Sequence, residues 1–254
     1  MKNRVFITFV SVILIFMIGG GVAGSVFGLF HAGNRAQYDL NNVSVEQNSP
    51  LNGKCILFLG SSVTFGYGSL GVSFVDYLQA TNGVVAIKEA VSGTTLVDLN
   101  KNSYVSRLKS VDKELKLDAF VCQLSTNDAT KELPLGVVSN SVTLNDFDTQ
   151  TVAGAIEYII CYVRKNWNCP VVFYTQAAYD SAHYEKMVQL LYEIQKKWNI
   201  VILDLWNNEE VNSLTEHERE LYLLDHIHPT KAGYKEWWLS VFRECLSDVI
   251  KESE

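Results

Sequence analysis

Residues 55 to 71, CILFLGSSVTFGYGSLG, place two serines, Ser61 and Ser62, directly behind an apolar run and a glycine. A serine there can act as a nucleophile, provided a base stands beside its hydroxyl. The same stretch carries Gly66, Gly68 and Gly71 in the G-x-G-x-x-G order of a dinucleotide cradle. Glu89 follows at the end of the next strand, near the spacing of about 20 residues expected for a ribose-binding acid. In that cradle, however, the first glycine turns directly out of the strand, so that the helix begins at the pyrophosphate. Here the apolar run ends near Gly60, well short of Gly66. No Gly-Lys-Ser/Thr follows, which excludes a P-loop. The nucleophile reading therefore leads, and it requires partners.

Histidine is the expected base, held by a carboxylate. Of the five histidines, His31 abuts an apolar N-terminal stretch, and His183 and His217 lie in polar, helix-like contexts that suit solvated surface. That leaves LLDHIHPTKAGY, residues 223–234, with Asp225, His226 and His228. Pro229 disfavours helical geometry at His228, so the pair belongs to a loop entering the last helix. At D-x-x-H spacing the carboxylate can fold back onto the ring, although such a segment also serves as an ordinary turn. Two further loops offer donors to a developing oxyanion. VSGTT (91–95) has Gly93, whose N–H could face a substrate where a side chain would block it, and LSTND (124–128) has the Asn127 amide. Either loop alone would read as turn chemistry. Four polar clusters ending four elements of one sheet favour a site.

The elements that would position these residues follow from periodicity. CILFLG (55–60), VVAIKEA (84–90), DAFVCQL (118–124), PVVFYTQ (170–176) and IVILDLW (200–206) read as buried strands. Residues 72–81, 103–115, 151–167 and 183–198 carry helical spacing between them, and 231–248 forms a closing helix. Continuous apolar strands separated by helices imply a five-stranded parallel sheet covered on both faces, with its crevice at the carboxyl ends of the strands.

With these blocks in order, the sequence resembles the SGNH hydrolases of the GDSL esterase/lipase superfamily over roughly residues 54–248. The G-D-S nucleophile block appears as Gly60-Ser61-Ser62, the lone glycine as Gly93, the asparagine as Asn127, and D-x-x-H as Asp225 with His228. Ser61 replaces the usual aspartate and Ser125 the glycine of G-x-N-D, and neither position carries the attack. The resemblance implies a flavodoxin-like three-layer α/β/α sandwich and a metal-free serine hydrolase without cofactor. It assigns Ser62, Asp225 and His228 to catalysis. Ser62 and Gly93 would supply backbone N–H groups, and Asn127 its amide, to an oxyanion hole. His226 is then a bystander at the pocket rim, and Gly66, Gly68 and Gly71 shape a mobile stretch between nucleophile and helix.

Composition bounds the remainder. Forty-eight per cent hydrophobic and 19% charged residues suit a globular domain, and 21 basic against 28 acidic residues give a net charge of −7. That balance argues against a nucleic-acid partner. Lys2 and Arg4 precede Val5 to Phe30, which carry no charge. The uncharged run exceeds the ~7–15 residues of a signal-peptide core and reaches the roughly 20 of a membrane span. Residues 1–31 are thus expected to be a signal anchor or a cleaved signal peptide, 32–53 a polar linker, and 54–254 the hydrolase domain, outside the cytoplasm. Five scattered cysteines show no zinc spacing, and Cys161 and Cys169 could pair in an oxidising compartment. An extracytoplasmic site and the resemblance together imply deacetylation of a cell-surface or dietary glycan. The alternatives are a lysophospholipid or general short-chain ester, or, from another class, a catalytically silent glycan-binding module.

Overall fold

The five apolar runs become five strands: β1 Cys55–Gly60, β2 Val85–Ala90, β3 Ala119–Gln123, β4 Val171–Tyr174 and β5 Val201–Leu203. The computed structural model describes residues 28–253. The strands form one parallel sheet in the order β2-β1-β3-β4-β5. This is the flavodoxin-like arrangement, whose order reverses beside β1 and opens a crevice at the carboxyl ends of β1 and β3. Alternation along the strands divides the core in two. Leu57, Leu59, Phe120, Cys122 and Phe173 face one helical layer. Ile56, Phe58, Val121, Val172 and Tyr174 face the other.

The first layer holds α3 (Tyr104–Leu108), α5 (Val152–Asn166) and α6 (Ala182–Trp198). The second holds α2 (Phe74–Asn82) and α9 (Leu239–Ser253), which is entered through a π-helical turn at Gly233–Trp238. Local chemistry sets several ends. Ser73 and Asp76 form a capping box at the start of α2, and Gly83 at φ +71° stops it. Thr151 and Ser181 cap α5 and α6.

The helix expected over 103–115 stops at Leu108. Beyond it, Ser110 and Val111 make tighter turn bonds to Arg107 and Leu108. Asp118 then accepts the Cys55 N–H at the mouth of the sheet. Four short helices have no counterpart in the periodicity: α1 Ser62–Phe65, α4 Thr126–Thr130, α7 Glu209–Asn212 and α8 Glu216–Tyr222. One or two turns are too few for a repeat to register.

Residues 32–53, expected as a linker, are laid against the domain. Three single 3₁₀ turns, Ala32–Asn34, Ala36–Tyr38 and Leu40–Asn42, lead to Leu51, which is fully buried against the second layer. Tyr77 donates to the Tyr38 carbonyl (2.5 Å), Glu46 N–H to Thr81 O (2.7 Å), and Lys231 pairs with Asp39 (2.5 Å). Most of the expected membrane segment lies outside the described residues, and among those described no helix is long and apolar enough to cross a membrane. All five cysteines, Cys161 and Cys169 included, are free thiols.

Candidate active site

β1 delivers Ser62, the expected nucleophile, through a turn that only glycine fits. A Cβ on Gly60 would lie 1.7 Å from Thr64 Oγ1. α1 therefore begins at once, with Ser62 in its first turn, and ends at Gly66 with φ +93°. Ser62 Oγ lies 2.8 Å from His228 Nε2. On the other side of the ring, Nδ1 lies 2.7 Å from Asp225 Oδ2 and 3.0 Å from Oδ1. The hydroxyl, the imidazole and the carboxylate thus form one unbroken hydrogen-bonded chain.

Backbone geometry explains how a loop achieves this. An antiparallel bridge joins Leu223 to Pro229, with Leu224 N–H donating to His228 O and Thr230 N–H to Tyr222 O. Inside that closure the N–H groups of Ile227 and His228 both donate to Asp225 Oδ1 at 2.8 Å. The Gln176 amide donates to Ile227 O (2.7 Å), tying the loop to the end of β4. Burial works to raise the Asp225 carboxyl. The His228 hydrogen bond and charge, with the two backbone donors, outweigh it and hold the group down at about 2. Asp225 is therefore an anion at any physiological pH, as the partner of an imidazole taking a proton must be.

Gly93 and Asn127 lie with Ser62 along one open cleft of about 360 Å³. Gly93 has φ +80°, which favours glycine, and a Cβ there would meet open space. Among the described residues its N–H donates to no protein acceptor. The Ser62 N–H belongs to the first turn of α1, where a helix leaves its donors without intrahelical acceptors. The Asn127 amide donates to Thr94 O (2.9 Å) and to Ser61 Oγ (3.1 Å). Donors of this kind, grouped beside a serine hydroxyl, can receive the oxygen of a carbonyl under attack.

Several residues that hold this edge together gave no clear sequence signal. Arg107, 8% exposed, donates from one nitrogen to Gly60 O (2.7 Å) and Thr94 Oγ1 (3.2 Å), and from another to Glu89 O and Oε1. It binds the ends of β1 and β2 to the Gly93 loop, and it absorbs Glu89, the residue that had suggested a ribose site. An arginine between Tyr104, Val105 and Leu108 on an apolar face was the available hint. Gln123, at the end of β3, accepts from Ser61 N–H and Thr64 Oγ1 through Oε1 (both 2.9 Å). Buried Asp128 accepts the N–H groups of Leu96 and Val97; burial raises its pKa against these bonds. The Tyr67 ring lies 4.9 Å from that of His228.

The other candidates separate cleanly. His226 is exposed and faces a different small cavity, near Tyr179 and Arg219, with no contact to Ser62. His183, expected on solvated surface, is half-buried with Nε2 3.0 Å from Leu133 O. The glycine stretch is wedged rather than loose: Gly66 and Gly71 have φ of +93° and +87°, and a Cβ on Gly68 would lie 2.8 Å from His228 O. No group of three or more His, Cys, Asp or Glu side chains that could hold a metal ion occurs among the described residues.

Comparisons with known proteins bear on the fold and the family. A protein from Lactobacillus plantarum superposes with a TM-score of 0.62 at 19% identity, covering 80% of this chain and 99% of that one. A protein assigned to the lipolytic G-D-S-L family, from Desulfitobacterium hafniense DCB-2, gives 0.56 at 20% identity, with 76% and 99% covered. A family two carbohydrate esterase from Clostridium thermocellum, solved with cellohexaose, gives 0.53 at 14%, with 80% and 65% covered. At such identities the likeness is one of fold. No curated protein matches the chain. The family model for GDSL-like Lipase/Acylhydrolase matches residues 56–239, from the first strand into the last helix, and the chain belongs to that family.

Proposed function

We propose that the protein is an extracytoplasmic serine esterase that removes short acyl groups, acetyl foremost, from a glycan. The carrying observation is the Asp225–His228–Ser62 chain opening onto a cleft lined by small polar groups. In this reading His228 Nε2 takes the Ser62 proton as Oγ attacks the ester carbonyl carbon. The carbonyl oxygen becomes an anion received by the Ser62 and Gly93 N–H groups and the Asn127 amide. Collapse breaks the ester C–O bond, with His228 returning the proton to the departing alcohol. Water, deprotonated by His228, then attacks the acyl-serine; the bond from the acyl carbon to Ser62 Oγ breaks, Oγ takes the proton back from His228, and the acid leaves.

The cleft supports a small acyl group and a polar alcohol. Ser92, Thr126 and Thr130 can hydrogen-bond sugar hydroxyls, and the Tyr67 ring, 40% exposed, offers a flat face to a pyranose. The structural neighbour from Clostridium thermocellum is a carbohydrate esterase, which is consistent with this choice. Exposed Phe65 and Leu70, on the stretch after the nucleophile, favour the competing lysophospholipase reading.

A panel on residues 28–254 separates the two, with chelator present throughout. It comprises p-nitrophenyl esters from acetate to laurate, acetylated xylan, and a lysophosphatidylcholine. The expected result is metal-independent turnover falling steeply beyond butyrate, with acetate released from xylan. Preference for laurate and lysolipid would replace the glycan reading, and no turnover of any ester would favour a silent binding module. The location rests on the uncharged stretch after Lys2 and Arg4. Protease added outside intact cells expressing the full chain should digest the domain, and complete protection would overturn it.

A further inference from the structure

Asn34 belongs to the strap that precedes β1, yet it ends at the catalytic loops. It is 6% exposed. Its amide nitrogen donates to Gly28 O (2.7 Å) and to Gly68 O (2.8 Å), and its Oδ1 accepts the N–H of Lys231 (2.9 Å). Both amide hydrogens and the oxygen are therefore used, on three segments remote from one another in sequence. Gly68 follows Ser62 on the nucleophile loop, and Lys231 follows His228 on the base loop. A closed circuit results: Ser62 to Gly68 along the chain, Gly68 to Asn34 to Lys231 by hydrogen bonds, Lys231 back to His228, and His228 to Ser62 across the site.

The circuit is tight where it matters. The Gly68 backbone lies so close to the base loop that a Cβ would meet Pro229 O at 2.6 Å and His228 O at 2.8 Å. Next to Asn34, a Cβ on Gly33 would fall 2.0 Å from Leu221 O and 2.3 Å from Thr230 Oγ1. The strap is thus packed at Gly33 against the end of α8 and the base loop, and Asn34 reaches from there to the nucleophile loop. A buried amide with every group satisfied fixes geometry more than it adds stability, since a displaced loop would leave it unpaired in the interior.

We infer that Asn34 is a positioning residue: by bridging Gly68 O and Lys231 N–H it sets the separation of the two loops, and so the Ser62–His228 hydrogen bond. The inference rests on the esterase reading above. A displacement of about 1 Å at reacting groups lowers rates roughly a hundredfold, and the Oγ–Nε2 bond is the contact such slack would lengthen.

The test measures the rate constant for fluorophosphonate labelling of Ser62, with kcat and KM for an aryl acetate, at a temperature where circular dichroism shows each variant folded. Asn34→Ala should lower both labelling and kcat by about ten- to a hundredfold with KM little changed. Gly68→Ala leaves Asn34 intact but forces the loops apart, and should give the same pattern. Lys235→Ala frees the strap elsewhere, at Gln37 O and Asn42 O, and should change neither rate. An Asn34→Ala protein with a lowered melting temperature but wild-type labelling and kcat would reduce Asn34 to structural glue and overturn the inference. Should Asn34→Ala not fold, wild-type labelling of Gly68→Ala would overturn it equally. A wild-type chain that is not labelled at all would instead remove the esterase reading, and the inference with it.

Discussion

Replacing His228 by alanine should lower kcat by roughly 10⁴–10⁶, nearly as much as replacing Ser62, and combining the two should add little. A serine hydroxyl attacks slowly while it keeps its proton, and His228 Nε2, at 2.8 Å, is the group placed to take it. On the proposed mechanism the nucleophile is inert without the base, and the base has no task without the nucleophile, so the two losses overlap. The neighbouring histidine provides an internal control. His226 lies one residue from Asp225 but points to another cavity, and His226→Ala should lose about tenfold or less. Steady-state kinetics on the four variants, Ser62→Ala, His228→Ala, the double and His226→Ala, check both statements. An inactive His226→Ala beside an active His228→Ala would reassign the base. Additive losses in the double variant would show that Ser62 and His228 act separately, contrary to their contact.

The sheet and the four polar blocks were legible because each rests on a local property. A buried parallel strand is a continuous apolar run, and the blocks fall where those runs end, so β1 to β5 were readable within two or three residues at each end. The supports were harder to read because their meaning depends on distant partners. Asn34, Asp39 and Ser49 make residues 32–53 look like a solvated linker. In the fold their polar groups bind Gly68, Lys231 and Asn82, carried by other elements. Glu89 read alone has the spacing of a ribose ligand and Arg107 carries no clear signal of its own; their pairing at 3.0 Å shows what each is for. Spacing failed in the opposite direction at 103–115, where Val111 packs against the core from a non-helical chain. Periodicity records which residues face inward, not which backbone turns them there.

Asn127→Ala should lower kcat by about 10²–10³ and leave KM nearly unchanged. In the resting site the amide is occupied: one donor goes to Thr94 O at 2.9 Å and the other to Ser61 Oγ at 3.1 Å. The second is the weaker contact, to a neutral hydroxyl that also has Gln123 Oε1 within reach at 3.4 Å. A hydrogen bond to an ionised oxygen is roughly twice as strong as one to a neutral acceptor. As negative charge builds on the attacked carbonyl, the amide hydrogen can therefore transfer its allegiance from Ser61 Oγ to the oxyanion. The ester ground state carries no such charge and cannot compete for that donor. An interaction made only in the transition state appears in kcat and not in KM. Thr94 O keeps the side chain oriented meanwhile, so little reorganisation is needed at the moment of reaction. Kinetics of Asn127→Ala on an aryl acetate decide the point, because a raised KM at unchanged kcat would make Asn127 a ground-state substrate contact and leave the oxyanion to the two backbone N–H groups alone.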